Sequence, residues 1–351
     1  MKSKILSRFK SAFLRRFYLG KFQSALGERG KAPRRLIAYL PTAQQGWILD
    51  FLWKDLCKEL AFFDGLRSDI ASSPEDLWRQ CQGQDVMVVA MGLKHLNELI
   101  EMGFPPYRII YYHTHVRLGL GIKKLDLLHG VLALNGFERE LIAMRKVDRD
   151  RIHLFPAGYD HKLFHSREPE LKRSIDVLFV GRYRHGKDGY YHQRKRYGFQ
   201  VELANRLCEC GLSVAFLGGD WSCCEYDLDA RVKILQIPHS GYPEIYRRSR
   251  AVCSVAGQEG GPVSFLEGMA SGCLMVSAPT GFVTDLMPSK VACWTLPLTE
   301  SSRTWANTIC EILRNNQGLS AEQHERRSAY LKAARFTELA DQLVELCWPN
   351  A

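Results

Sequence analysis

From Leu36 onward the chain alternates between short apolar runs and longer segments with helical spacing. Leu36 to Leu40, Asp85 to Ala90, Arg108 to Tyr112, Gly130 to Leu134 and Ile152 to Phe155 are compact runs that predict buried strands. Between them, Ile48 to Leu60 and Phe137 to Arg145 carry helical spacing. Residues 161–175 are polar and charged, with Pro169, and predict a linker. The alternation then restarts. Asp176 to Val180, Ser213 to Leu217, Val232 to Ile237, Ala251 to Val255 and Cys273 to Ser277 predict strands. Phe199 to Cys210, Pro243 to Arg248 and Val263 to Ala270 predict helices, and residues 320–347 read as amphipathic helix. Buried strands alternating with helices predict an α/β fold with parallel sheets. Two such series predict two Rossmann-like domains, 36–165 and 176–335, facing a cleft at the carboxyl ends of their strands. Residues 336–351 are expected to form a terminal helix that returns to the first domain.

Ahead of this series, residues 4–22 also have helical spacing. Ile5, Phe9, Phe13 and Phe17 repeat every fourth residue, joined by Leu6, while Lys4, Arg8 and Arg15 lie opposite. Charge sharpens this picture. Residues 1–35 contain eleven Lys and Arg against one acid, Glu28, so this segment holds the whole net charge of +10. The remainder is balanced. The basic character belongs to an arm, which argues against nucleic acid as a partner, because that would want a basic face on the folded body. A basic amphipathic arm suits an anionic membrane surface; packing against the first domain is the alternative.

With 46% hydrophobic and 25% charged residues the chain reads as an ordinary globular protein. No apolar stretch is long enough to span a bilayer, and Arg15 and Arg16 interrupt any signal-peptide core. The expected location is cytoplasmic, with peripheral attachment at the inner face of a membrane as the refinement. The eleven cysteines show no regular spacing and are expected to be reduced. Cys208, Cys210, Cys223 and Cys224 form the one cluster, but their spacing is unlike the usual zinc pairs.

Candidate chemistry concentrates in Glu259-Gly-Gly-Pro-Val-Ser-Phe-Leu-Glu267-Gly-Met-Ala-Ser-Gly272. Gly260 and Gly261 let backbone approach a ligand. Pro262 suits a helix start and Gly272 a helix stop. Free N–H groups at that start make an anion site fit for a pyrophosphate. Glu259 in the loop can accept hydrogen bonds from sugar hydroxyls, and Glu267, further along the helix, lies within reach of a ribose diol; a solvated acid on a helix after a generic Gly-rich turn is the alternative.

This segment resembles the donor-binding signature, E-x7-E, of GT-B glycosyltransferases of the family-four, group-one type. Five further stretches resemble that family in order: Val131 to Ile142, Ile152 to Phe164, Val177 to Arg182, Glu244 to Ser254, and Gly281. The resemblance covers about residues 36–290. It implies a retaining, metal-independent transferase that moves a sugar from a nucleotide-diphosphate donor to a saccharide or lipid-linked saccharide. It implies that Glu259 meets the donor sugar, Glu267 the ribose and Arg182 the diphosphate. Lys187 matches the family's lysine by spacing, with Lys195 and Arg196 as alternatives in the same basic loop. His113 matches a histidine facing the donor sugar, with His115 as the alternative, and Gly46 a glycine near the phosphate. Cationic side chains suit a departing diphosphate because charge grows there in the transition state. The sequence departs from the family pattern at Asn135, where serine is commoner, at Ala157, where Asn is usual, and at Asp285, near a more usual Glu.

Two other readings compete. Asp227-Leu-Asp229 has the letters of a metal-holding Asp-x-Asp pair, but it does not follow an apolar strand. A transferase-like protein that binds sugar nucleotides or docks a partner without turnover would share the fold.

Overall fold

A computed structural model of the chain describes residues 17–40, 48–113, 125–166, 173–185, 189–281, 283–286, 293–315 and 320–349. It divides into two compact units: residues 1–156 with 336–351, and residues 157–335.

The first unit is built on six parallel strands: β1 (Arg34–Tyr39), β2 (Leu66–Ala71), β3 (Asp85–Met91), β4 (Ile109–His113), β5 (Gly130–Ala133) and β6 (Ile152–Leu154). Their spatial order is β2-β1-β3-β4-β5-β6. All seven residues of β3 are buried, as expected of a strand covered on both faces. β2 is at the edge; of Leu66–Ala71 only the two end residues are buried, so its sequence carries no continuous apolar run. Asn135 caps the helix Gly136–Ala143, its Oδ1 accepting the Glu138 N–H at 2.9 Å. Asparagine caps as well as the serine that is commoner there.

The basic segment is not detached where it is described. β1 begins at Arg34, and the short helix Lys21–Ala25 buries Phe22 against Tyr18 and Phe104. Gly30 N–H donates to the Asp85 carboxylate at 3.0 Å, and Arg29 donates to the Cys347 carbonyl at 2.7 Å. Residues 1–16, which hold most of the predicted amphipathic stripe, lie outside the described residues.

The second unit has the strands β7 (Ile175–Val180), β8 (Val214–Leu217), β9 (Lys233–Leu235), β10 (Ser249–Ser254), β11 (Leu274–Ser277) and β12 (Cys293–Thr295). Their order, β12-β11-β10-β7-β8-β9, is all parallel and is the Rossmann order read from the other edge. Residues 157–164, expected in the first domain and the start of the linker, belong to this unit instead: Phe164 is buried against Tyr246 and His239. The predicted helix 320–347 is two helices, Ala321–Ala333 and Phe336–Cys347. The break is where Tyr159 N–H takes the Ala334 carbonyl and Tyr159 bridges Arg335. Beyond it the chain rejoins the first unit, where Trp348 Nε1 donates to Asp85 at 3.0 Å.

Candidate functional site

In the second sheet the strand order reverses between β7 and β10. A crevice outside the carboxyl ends of such a pair is the usual ligand site of an open α/β sheet. β7 runs directly into Gly181-Arg182, and β10 into the loop that carries Glu259. The topology therefore brings the two segments singled out in the sequence to one place.

The β7 end is firmly built. Gly218 lies so near Gly181 that a Cβ on it would meet the Gly181 carbonyl oxygen at 2.3 Å, so only glycine fits. Trp221 Nε1 donates to the Gly181 carbonyl at 2.7 Å, and the Tyr197 hydroxyl to the Arg182 carbonyl at 2.9 Å. Tyr183 packs among Tyr197, Trp221 and His192. From this rigid base the Arg182 side chain reaches solvent, its Nε 2.5 Å from Asp220.

The basic segment after Arg182, expected as a loop, contains a helix, Gly189–Lys195. Arg184 and Arg194 lie over the Tyr191 ring, 4.5 and 4.9 Å from its centre. Lys195 Nζ pairs directly with Glu259 Oε1, and Arg194 approaches Oε2 at 3.8 Å. Arg196, left-handed at φ 53°, turns elsewhere: it donates to the Leu298 carbonyl at 3.1 Å and sits 4.0 Å from the Phe199 ring centre. Of the alternative cations, Lys195 is thus the one beside Glu259. Lys187 lies outside the described residues, as do Gly46 and His115.

The Glu259 loop is held from behind. Its backbone N–H donates to Thr280 Oγ1 at 2.9 Å. Gly281, at φ 60°, is so close that a Cβ there would meet the Gly260 and Glu259 carbonyl oxygens at 2.7 and 2.8 Å. The helix Val263–Ala270 follows, with Pro262 at the position before its first residue and no side-chain cap. Its first backbone N–H groups lack the usual side-chain acceptor, as an anion-binding helix start requires.

Glu267 sits differently from Glu259. It is 4% exposed, and both carboxylate oxygens have protein partners. His239 Nε2 is 2.7 Å from Oε1, and the Tyr246 hydroxyl donates to Oε2 at 2.9 Å. Burial and the Glu267 charge hold the Tyr246 phenol well above its ordinary range, so it remains a donor. The sequence reading missed both partners, as it missed Thr280 and Asp220. His239 follows β9 and Tyr246 lies on the helix Tyr242–Arg247; only the fold brings them to Glu267.

In the first unit His113 ends β4 and is buried, with Nδ1 2.8 Å from the Tyr111 hydroxyl. Burial, reinforced by the Glu138 charge, pushes the Tyr111 phenol up, so it stays a neutral hydroxyl beside the ring.

The competing metal motif is occupied otherwise. Arg231 hydrogen bonds hold the Asp229 carboxyl down at about 2. Among the described residues, no group of three or more His, Cys, Asp or Glu gathers as a metal site. Cys208 is buried while Cys210 and Cys223 are exposed, and the described cysteines are free thiols.

No family model matches the chain. A stretch of 182 residues, 49% of the chain, is 26% identical to EpsF of Bacillus subtilis (strain 168), a protein named provisionally as a glycosyltransferase; the match spans 47% of EpsF. Among solved structures, sucrose-phosphate synthase from Thermosynechococcus elongatus is similar at a TM-score of 0.66 and 13% identity, over 89% of this chain and 98% of that one. Anabaena HepE in complex with UDP is similar at a TM-score of 0.63 and 14% identity, again over 89% and 98%. HepE has also been solved with UDP-glucose.

Proposed function

We propose that this chain, whose fold is that of the GT-B glycosyltransferases, transfers a hexosyl group from a nucleoside-diphosphate sugar to a saccharide or lipid-linked saccharide. The observation that carries the reading is the meeting of Glu259, Lys195, Arg194 and an uncapped helix start at the switch point between β7 and β10. A carboxylate for sugar hydroxyls beside cations for a diphosphate is the arrangement a donor sugar needs. HepE, of similar fold, was solved with UDP and UDP-glucose, so uridine nucleotides are the first donors to try.

In this reading Lys195, Arg182 and the N–H groups opening Val263–Ala270 take up the charge that grows on the leaving diphosphate. Glu259 accepts from hydroxyls of the donor sugar, and Glu267 from the ribose. The bond from anomeric carbon to phosphate oxygen breaks, and a bond to the acceptor oxygen forms on the same face. The acceptor proton passes to the departing phosphate oxygen, so the configuration is retained without an enzymic nucleophile. With positive charge supplied by side chains, no divalent metal is required. The role of His113 at the donor sugar rests on the family resemblance alone.

The test is release of nucleoside diphosphate from a panel of UDP-, GDP- and ADP-sugars, with and without EDTA, and NMR of the product. Turnover that survives EDTA and keeps the anomeric configuration supports the reading. Inversion overturns the retaining step, and reversible loss on chelation overturns metal independence. Tight binding with no turnover on any acceptor points instead to a non-catalytic sugar-nucleotide binder.

For the acceptor we propose a lipid-linked glycan met at an anionic membrane surface. Phe17, at the edge of the described basic segment, is 48% exposed, with Lys21 Nζ 3.6 Å from its ring centre. No described helix is long and apolar enough to cross a membrane. The full chain should float with anionic vesicles, less so at high salt, because each basic residue near such a surface contributes about 1 kcal/mol. A chain beginning at Phe17 keeps the packed Tyr18 and Phe22 but loses six of the eleven basic residues, and should float far less. Equal flotation of both, or of neither, overturns the membrane assignment.

A further inference from the structure

Of the two described partners of Glu267, His239 is the one that faces outward. Its side chain is 47% exposed, against 5% for the Glu267 carboxylate; Tyr246 is wholly buried. A ligand reaching Glu267 from solvent therefore meets the imidazole first. The ring is not loose. Tyr242 stands edge-on to it at 5.0 Å between centres, and Phe164 lies tilted at 5.7 Å. Nε2 is committed to Oε1 at 2.7 Å.

A carboxylate offers about four lone-pair directions. His239 and Tyr246 take one on each oxygen, so one remains on each. Two vicinal hydroxyls fit that remainder, one donor to each oxygen. Without a donor from His239, Oε1 would be free to turn toward water, and the paired acceptor geometry would be lost. A group that orients an acceptor pair in this way sets how strongly a diol is told from a single hydroxyl.

We propose that His239 is a positioning residue of the ribose subsite, locking the Glu267 carboxylate through Oε1 for a cis-diol and walling that subsite with its ring. The inference rests on the donor-site reading above and deepens it. It assigns discrimination between a ribose and a deoxyribose to a residue outside the Glu259–Glu267 motif.

Calorimetric titration of the full chain with UDP and with 2′-deoxy-UDP tests this. The wild-type chain should prefer UDP about tenfold or more, the worth of one hydrogen bond to a charged group. His239→Ala should bring the two ligands to within about threefold of each other, by weakening UDP more than 2′-deoxy-UDP. His239→Gln, which keeps a donor near the place of Nε2, should recover most of the preference. A wild-type preference that His239→Ala leaves intact, or an equal loss for both ligands, overturns the role of His239 and leaves the donor site standing. No preference in the wild-type chain overturns the ribose assignment of Glu267 itself. Melting temperatures of the variants identify a loss due to misfolding, and His239→Gln then carries the test.

Discussion

At Lys195 and Arg196 two neighbouring cations of similar sequence credentials end in different surroundings. Lys195 pairs with Glu259, whereas Arg196 is engaged by Leu298 and Phe199. If Lys195 neutralises the leaving diphosphate, Lys195→Met should lower kcat about a hundredfold, the scale on which single stabilisers of transition-state charge act. Arg196→Met should leave kcat within about threefold, acting instead on the packing of its loop. Steady-state kinetics on a turned-over donor decides; equal losses would remove Lys195 from the diphosphate. The same pair marks what the sequence could not provide. The basic loop and both glutamates were legible as chemistry, because Gly, Pro and carboxylate spacing reports local backbone behaviour. Which cation meets Glu259 depends on a left-handed turn at Arg196 and a helix at Gly189–Lys195, and neither has a strong local signal. His239 was silent for a related reason: its partner lies on another element, and a turn after a strand has no periodicity to read.

At the scale of elements, most strands were legible where apolar runs are continuous, and the exceptions share a cause. β2 at the first sheet's edge is buried only at its two ends, so tertiary pairing rather than patterning makes it a strand. The long helix expected over residues 320–347 breaks because Ala334 and Arg335 are needed by Tyr159, a demand from a distant part of the chain. The glycines near the site do more than permit turns. Gly281→Ala would press a Cβ against the carbonyls of Glu259 and Gly260 in a backbone conformation that L residues resist. We expect it to weaken donor binding at least tenfold (about 1.4 kcal/mol) and also to lower the melting temperature of the second unit. Unchanged affinity by calorimetry would detach this loop from the donor. At the other unit's cap, Asn135→Ala should cost about 1 kcal/mol in urea unfolding and Asn135→Ser almost nothing.

At the scale of the whole molecule, the chain passes between units at residues 156 and 335 and returns its last helix to the first. Asp85 ties that return together. Its wholly buried carboxylate accepts from Arg108, Gly30 and Trp348, joining β3, the basic segment and the C-terminal end. Asp85→Ala strands a buried guanidinium and should cost about 3–5 kcal/mol, read by chemical denaturation; a loss below 1 kcal/mol would show that the network is dispensable. Acid should also find the first unit weak. Burial lowers the pKa of His95, His129 and His153 below the usual 6.5. Below that value the unfolded chain takes up protons that the folded unit resists, so stability is full above pH 6.5 and falls as the pH drops. Melting curves at pH 7.5 and 5.5 should show the decline, and a constant or rising melting temperature would refute it.

The central claim, that the second unit's switch point is a nucleotide-sugar site, meets its most direct test in calorimetry of UDP, GDP and ADP against the full chain and its Glu267→Ala variant. At least one nucleotide should bind the wild-type chain, and the variant should lose about ten- to a hundredfold in affinity, or about 1.5–3 kcal/mol. Binding unchanged by the substitution, or no binding of any of the three by the wild-type chain, would contradict it.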